Sequence, residues 1–230
     1  QILTNPRFRF FNWAAQTGIG VSLGSDIDSR FAYVLSQRAP NSSELFSDGL
    51  HHSIAALEYG NLILRNETSH KILMSISRRT KNFSLSLEPY FLKVFDYIFI
   101  EPTALEQTIR GAFPVWRYRS TDAFFAGLDF NSNLTISKYL NIDMGASYTY
   151  AQDQLNQNPL ILIPPFSMFQ KLKYSPDKAS WNLEIIHNYY GKQNRYPNSN
   201  FQFNLIENGT LVSKTVNISE SPAGFQKFDA

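Results

Sequence analysis

The sequence predicts an all-β protein, and within that class a transmembrane antiparallel up-and-down β-barrel segment of about eight or nine strands. Three observations carry the prediction. Apolar and polar residues alternate with period two through most of the chain. The connections between the alternating runs are short and long in strict turn, which puts tight turns at one end of a sheet and long loops at the other. Aromatic residues are abundant, 19 Phe, 12 Tyr and 3 Trp, while only 17% of residues are charged. A soluble sandwich can share that composition, but it scatters long and short links over both ends.

Strands are expected at 8–23, 29–38 and 65–78. The first two are joined by Gly-Ser-Asp-Ile-Asp (24–28), the next by a long connection at 39–64. A turn at 80–82 leads into a strand at 82–100, where Phe83, Leu85 and Leu87 oppose Ser84, Ser86 and Glu88. Pro89 removes one ladder hydrogen bond there and is expected to mark a bulge. After a long connection at 101–112, strand 113–136 sets Phe124, Ala126, Leu128 and Phe130 against Ala123, Phe125, Gly127 and Asp129. The turn 137–139 opens the clearest strand, 140–152. Its row Leu140, Ile142, Met144, Ala146, Tyr148 and Tyr150 ends in two tyrosines, as where a strand leaves hydrocarbon for headgroups. A long connection at 153–161, a strand at 162–175, a short link at 175–179 and a strand at 180–192 follow; Trp181, Leu183 and Ile185 alternate with Asn182 and Glu184. The connection 193–224 is long, and a ninth strand starts near 225. Crossing a bilayer takes ~9–11 tilted residues, so strands 82–100 and 113–136 are long enough to project beyond it. No helix with a period of 3.6 and no repeat is evident.

Other classes are excluded more simply. No run of about 18 apolar residues exists, so no helix of this chain is expected to span a membrane. Without cysteine there is no disulfide and no Cys-based zinc or redox site. Twenty-one basic against 19 acidic residues leave a net charge of +2, too little to argue for nucleic acid. No nucleophile motif, phosphate-cradling glycine loop or metalloenzyme histidine spacing is present, so the chain is not read as an enzyme. The N-terminus has no apolar signal-peptide core, and the chain stops as a strand begins. It is therefore expected to be one segment, residues 1–230, of a longer protein.

The stretch RAPNSSELFSDGLHHSIAALEYGNLILRNETS (38–69) resembles the mid-barrel segment of TonB-dependent receptors, outer-membrane transporters with a 22-stranded barrel and an internal plug. The pattern is matched without a gap at Arg38, Ala39, Pro40, Glu44, Leu45, Phe46, Gly49, His51, His52, Glu58, Gly60, Leu64, Glu67 and Thr68. YIFIEPT (97–103), GAFPVWRYRSTDAFFAGLDF (111–130), LILIPPF (160–166) and KQNRYP (192–197) are similar to later strands of the same barrel. The chain departs from the pattern at Leu62-Ile63-Leu64 and at Gln37, which argues against a haem-specific cargo. The resemblance implies roughly strands 12 to 20 of the barrel, without the plug or the final strands. It also implies a Gram-negative outer-membrane location and active uptake of a metal, haem or a metal complex such as a siderophore. The implied partners are the lipid bilayer and TonB, the latter acting through the plug; no nucleic acid is implied. A passive outer-membrane channel and a secreted β-sandwich adhesin are the alternatives.

His51 and His52 lie in the first long connection, on the extracellular side in this layout. Neutral imidazole ligates zinc, copper and haem iron, and family members with this pair resemble zinc- or haem-uptake receptors. His51 and His52 are thus the candidate metal contacts, with Glu58 the third candidate ligand residue and Glu44 and Asp48 further carboxylates within the loop. The alternative is a pair that packs the loop, since adjacent side chains need not converge. Arg38-Ala39-Pro40 is expected to end a strand and set the loop angle. The Arg-Tyr-Arg run at 117–119 is expected to balance acidic groups, and His70 and His187 to be structural. Six Asn-x-Ser/Thr matches, the first at Asn41, carry no meaning in a bacterial barrel.

Overall fold

The computed structural model describes residues 6–177, 180–197, 200–217 and 221–229. Nine strands pair antiparallel in one continuous path, each with its neighbour in that path: β1 (Ala14–Leu23), β2 (Ile27–Arg38), β5 (Glu67–Arg79), β6 (Phe83–Thr108), β7 (Gly111–Ser137), β8 (Leu140–Asp153), β9 (Ser167–Tyr174), β10 (Leu183–Tyr190) and β13 (Phe225–Asp229). The β2–β5 loop contributes a one-turn helix α1 (Ser42–Phe46) and a small hairpin, β3 (Asp48–His51) and β4 (Ala56–Tyr59). The last long loop holds β11 (Asn200–Glu207) and β12 (Thr210–Asn217), a separate two-stranded sheet. This is the up-and-down wall of a partial barrel. Successive strands of this path pair with one another throughout, the up-and-down order of a barrel wall rather than the Greek-key order of a sandwich.

Register assigns the two faces. Asn133 faces Asp143 and donates to it at 2.5 Å, and Lys171 ion-pairs with the same carboxylate at 3.0 Å. Ser147 donates to Asp129 at 2.6 Å, Tyr90 and Thr149 share a hydrogen bond at 2.8 Å, and Lys173 pairs with Glu184 at 3.1 Å. All lie on one face, which lines a polar groove with Asp28, Arg30, Arg79 and Ser86. The opposite face is an exposed apolar row that includes Ile19, Val21, Phe31, Met74, Ile76, Phe91, Leu128 and Ile185. Polar groups paired inside and apolar groups bare outside is the arrangement of a barrel in lipid. Along β8 the row Leu140–Tyr150 rises ~33 Å along the strand, or ~23 Å at a tilt of ~45°, close to the height of a membrane band.

Several boundaries differ from the sequence reading, each for a physical reason. Residues 8–13 are not in a strand. Their partner β2 ends at Arg38, before Pro40, and the Phe11 carbonyl is taken instead by Asn66 at 2.7 Å. The strand expected from 162 begins at Ser167, because Pro164 and Pro165 have no N–H to offer a ladder. The connection expected at 101–112 does not exist as a loop: β6 and β7 run on to a two-residue turn at Ile109-Arg110 and form a tongue above the barrel. The connection 193–224 contains the β11–β12 hairpin, turned at Asn208 and Gly209, both at positive φ. Pro89 is not a bulge. It pairs with Leu128 in unbroken register on the β7 side, and its missing donor interrupts the β5 ladder between Leu73 and Ile76. The bulges of β6 lie higher, between Val94 and Tyr97 and between Pro102 and Ala104.

Candidate ligand-binding loop

The loop between β2 and β5 is built on an ion network at its foot. The Arg38 Nε donates to Glu67 Oε2 at 2.7 Å, and its Nη1 to both Glu44 oxygens at 3.0 Å. Glu67 Oε1 in turn accepts from the Ile98 backbone N–H at 2.6 Å, joining the network to the tongue. Glu44 also closes a capping box with Asn41: its carboxylate accepts from the Asn41 N–H at 2.7 Å while Asn41 Oδ1 accepts from the Glu44 N–H at 2.9 Å. Leu45, Leu64 and Ile98 form a small buried core against which Phe10 and Tyr118 pack. Burial, then the charges of Glu58 and Glu44, push the Tyr118 phenol above its usual value, so it stays neutral.

From this foot the loop rises into the β3–β4 hairpin. β4 lies parallel to β7, pairing Leu57 with Val115, Glu58 with Trp116 and Tyr59 with Arg117. Only above Ala123 is this edge of β7 open, because β8 ends there at Asp153, and β4 takes the place that β8 vacates. Arg117 stacks over the Tyr59 ring at 4.6 Å, and Arg119 pairs with Glu101 at 2.8 Å. Both arginines of the 117–119 run are therefore engaged within the protein.

The three candidate ligand residues fare differently. In the hairpin register Glu58 sits opposite Gly49, two residues before His51, so His51 and Glu58 are diagonal neighbours on one face. His51 Nδ1 lies 3.6 Å from Glu58 Oε1. His52 opens the turn beyond β3 and is exposed. Consecutive side chains of an extended strand leave on opposite faces, and the structure does not bring His52 to this pair. Glu44 is committed to Arg38 and the capping box, and Asp48 is exposed. Among the described residues no three His, Asp or Glu side chains converge on one point. His70 shares a hydrogen bond with Tyr33 at 2.6 Å, and His187 stacks on Phe228 at 4.5 Å.

The neighbouring loop after β8 hangs on a different carboxylate that the sequence did not single out. Asp153 Oδ1 accepts from Thr121 Oγ1 at 2.5 Å, Leu155 N at 2.9 Å and Asn156 N at 3.2 Å, and Oδ2 accepts from Asn156 Nδ2 at 2.7 Å. Burial pushes this carboxyl up, but the donors from Thr121, Asn156 and Leu155 together hold it below its usual value. Its stabilisation is therefore complete above the unfolded Asp pKa of ~3.9 and fades as the pH drops through the lower folded value. Pepsin digestion is expected to spare loop 154–166 at the upper end of that window and to open it at the lower end. In Asp153→Asn, which cannot accept at both atoms, the loop should be cut throughout.

The family model described as TonB dependent receptor-like, beta-barrel matches residues 3–225. The chain belongs to this family. Solved TonB-dependent receptors share its fold. The copper transporter OprC superposes with a TM-score of 0.70 at 15% identity, over 93% of this chain and 30% of that one. The siderophore receptor PirA from Acinetobacter baumannii gives 0.62 at 18%, over 94% and 34%. The ferric enterobactin receptor PfeA from Pseudomonas aeruginosa, as its G324V mutant, gives 0.63 at 15%, over 93% and 31%. The chain thus spans about a third of the length of these receptors. No curated protein sequence matches it. Within the TonB-dependent receptor barrel, the Arg38–Glu44–Glu67 foot is built from residues that carried the resemblance.

Proposed function

We propose that this chain is part of an active transporter of the Gram-negative outer membrane that takes up a metal, haem or a metal complex such as a siderophore. TonB would supply the energy through a plug domain, and the lipid bilayer would surround the apolar face. The family supports the transport reading, and the copper, siderophore and iron receptors among its structural neighbours support a metal-containing cargo. The observation that carries the ligand contact is the pairing of His51 with Glu58 on the β3–β4 hairpin, held above the barrel by β7. An imidazole nitrogen beside a carboxylate oxygen is a donor set for zinc or copper. Two donors leave such an ion incompletely coordinated, so His52, the cargo itself or other loops would complete the shell.

Zinc titration of the full-length protein in detergent tests this. Saturable binding is expected, weakened about tenfold or ~1.4 kcal/mol by His51→Ala, less by His52→Ala, and abolished in the double variant. Binding indifferent to all three variants would return the histidines to loop packing, and no zinc binding at all would remove zinc as the cargo.

A further inference from the structure

We propose that Lys192 and Arg195 form a second binding site at the outer rim of the barrel wall, for a phosphate ester, and that its occupant is the phosphorylated headgroup of an outer-leaflet glycolipid. Arg195 lies with its Cζ 3.6 Å from the centroid of the Tyr150 ring. Its Nη2 is 3.4 Å from Gln152 Oε1, while its Nε is buried with no hydrogen-bond partner among the described residues. A buried N–H on a charged group is costly to leave without an acceptor. Arg38, Arg119, Lys138, Lys171, Lys173 and Lys227 each hold a carboxylate, whereas among the described residues neither Lys192 nor Arg195 does.

The surroundings are built to hold Arg195 in place. The Gln193 side chain accepts from the Arg195 N–H at 2.9 Å and donates to the Ile163 carbonyl at 2.5 Å, tying the 192–195 segment to the loop before β9. Together they enclose a pocket of about 210 Å³ walled by Pro164, Pro165 and Phe166, and no Asp or Glu lines it. Stacking on a ring fixes a guanidinium in one plane, and a planar fork suits the oxygens of a phosphate.

Position selects the source of the phosphate. Tyr150 pairs with Ala126 on the face that carries exposed Leu128 and Tyr148, at the top of the apolar row. A cation at that level stands where headgroup phosphates meet the barrel. The placement rests on the outer-membrane reading above, but the anion site itself does not.

Native mass spectrometry of the delipidated full-length protein in detergent separates the two. The probes are diphosphorylated lipid A, its dephosphorylated form and inorganic phosphate; the variants are Arg195→Ala, Arg195→Lys and Lys192→Ala, each checked for an unchanged Tm. Diphosphorylated lipid A is expected to bind at least tenfold more tightly than the dephosphorylated lipid. Arg195→Ala should erase that preference, and Lys192→Ala and Arg195→Lys should each reduce it. Inorganic phosphate binding that needs Arg195, without any preference between the lipids, would overturn the glycolipid and leave a site for a soluble anion. No dependence of any probe on Arg195 or Lys192 would overturn the site.

Discussion

Gly60→Ala is expected to unseat the β3–β4 hairpin and to cost about 3 kcal/mol, the upper end of what overpacking incurs. A Cβ at Gly60 would lie 2.6 Å from both the carbonyl carbon and oxygen of Leu45 and 2.7 Å from the Phe46 nitrogen. These are backbone atoms of α1, so no side-chain rotation relieves the contact. Gly60 also donates to the Ser47 carbonyl at 2.7 Å, and Asn61 to the Glu44 carbonyl at 2.8 Å and to the Tyr118 carbonyl at 3.3 Å. The methyl group pushes this whole strap away from the helix. Hydrogen exchange is the measurement: the Gly60 and Asn61 amides should lose protection while β7 and β8 keep theirs. Retained protection at Gly60 would show that α1 yields more easily than a capped helix should.

Arg38→Ala is the second large effect, about 2 kcal/mol. Removing one partner of a fully buried pair costs ~3–5 kcal/mol, but the Arg38 side chain is 45% exposed and solvent screens part of that. What is lost is the shared cation of two nearly buried carboxylates, Glu44 and Glu67. The 39–66 loop of the variant should become the first site of proteolysis near neutral pH. Glu44→Gln on the Arg38→Ala background should recover part of the loss. If the double variant is instead worse by the sum of the single effects, the three groups do not act as one network.

The parts of this fold that were legible are those that touch both lipid and lumen. Period-two alternation needs an apolar and a polar side, and β5 to β8 have both between their turns. The tongue has no lipid-facing row, and its residues 101–114 are half-buried or exposed without a regular alternation. The stretch EPTALEQTIRGA (101–112) therefore carries no clean alternation and was expected to be a loop, yet it is strand on either side of Ile109-Arg110. The β11–β12 hairpin did carry a readable signal, Asn208-Gly209 between runs of alternating Phe, Leu and Val, which the reading of 193–224 as one long connection left unused. At the candidate site the sequence identified the histidines and carboxylates but not their allegiances. Glu44 is claimed by Arg38, and Glu58 by His51, through a hairpin register that no local pattern encodes. Asp153 was not singled out because its partners Thr121 and Asn156 come from a strand and a loop that meet only in three dimensions.

The parallel seating of β4 on β7 also sets an order of assembly. Leu57 and Val115 are 58 positions apart in the chain (115 − 57), and contacts of such separation form late because the intervening chain must be closed first. The β6–β7 hairpin, turned by two residues, needs no such closure. The outer edge of β7 is therefore expected to be finished before β4 reaches it. Folding of this segment is expected to run from the wall upward, and pulse-labelling hydrogen exchange should find the histidine-bearing hairpin the last piece to gain protection; protection of β4 no later than that of β6 and β7 would reverse the order.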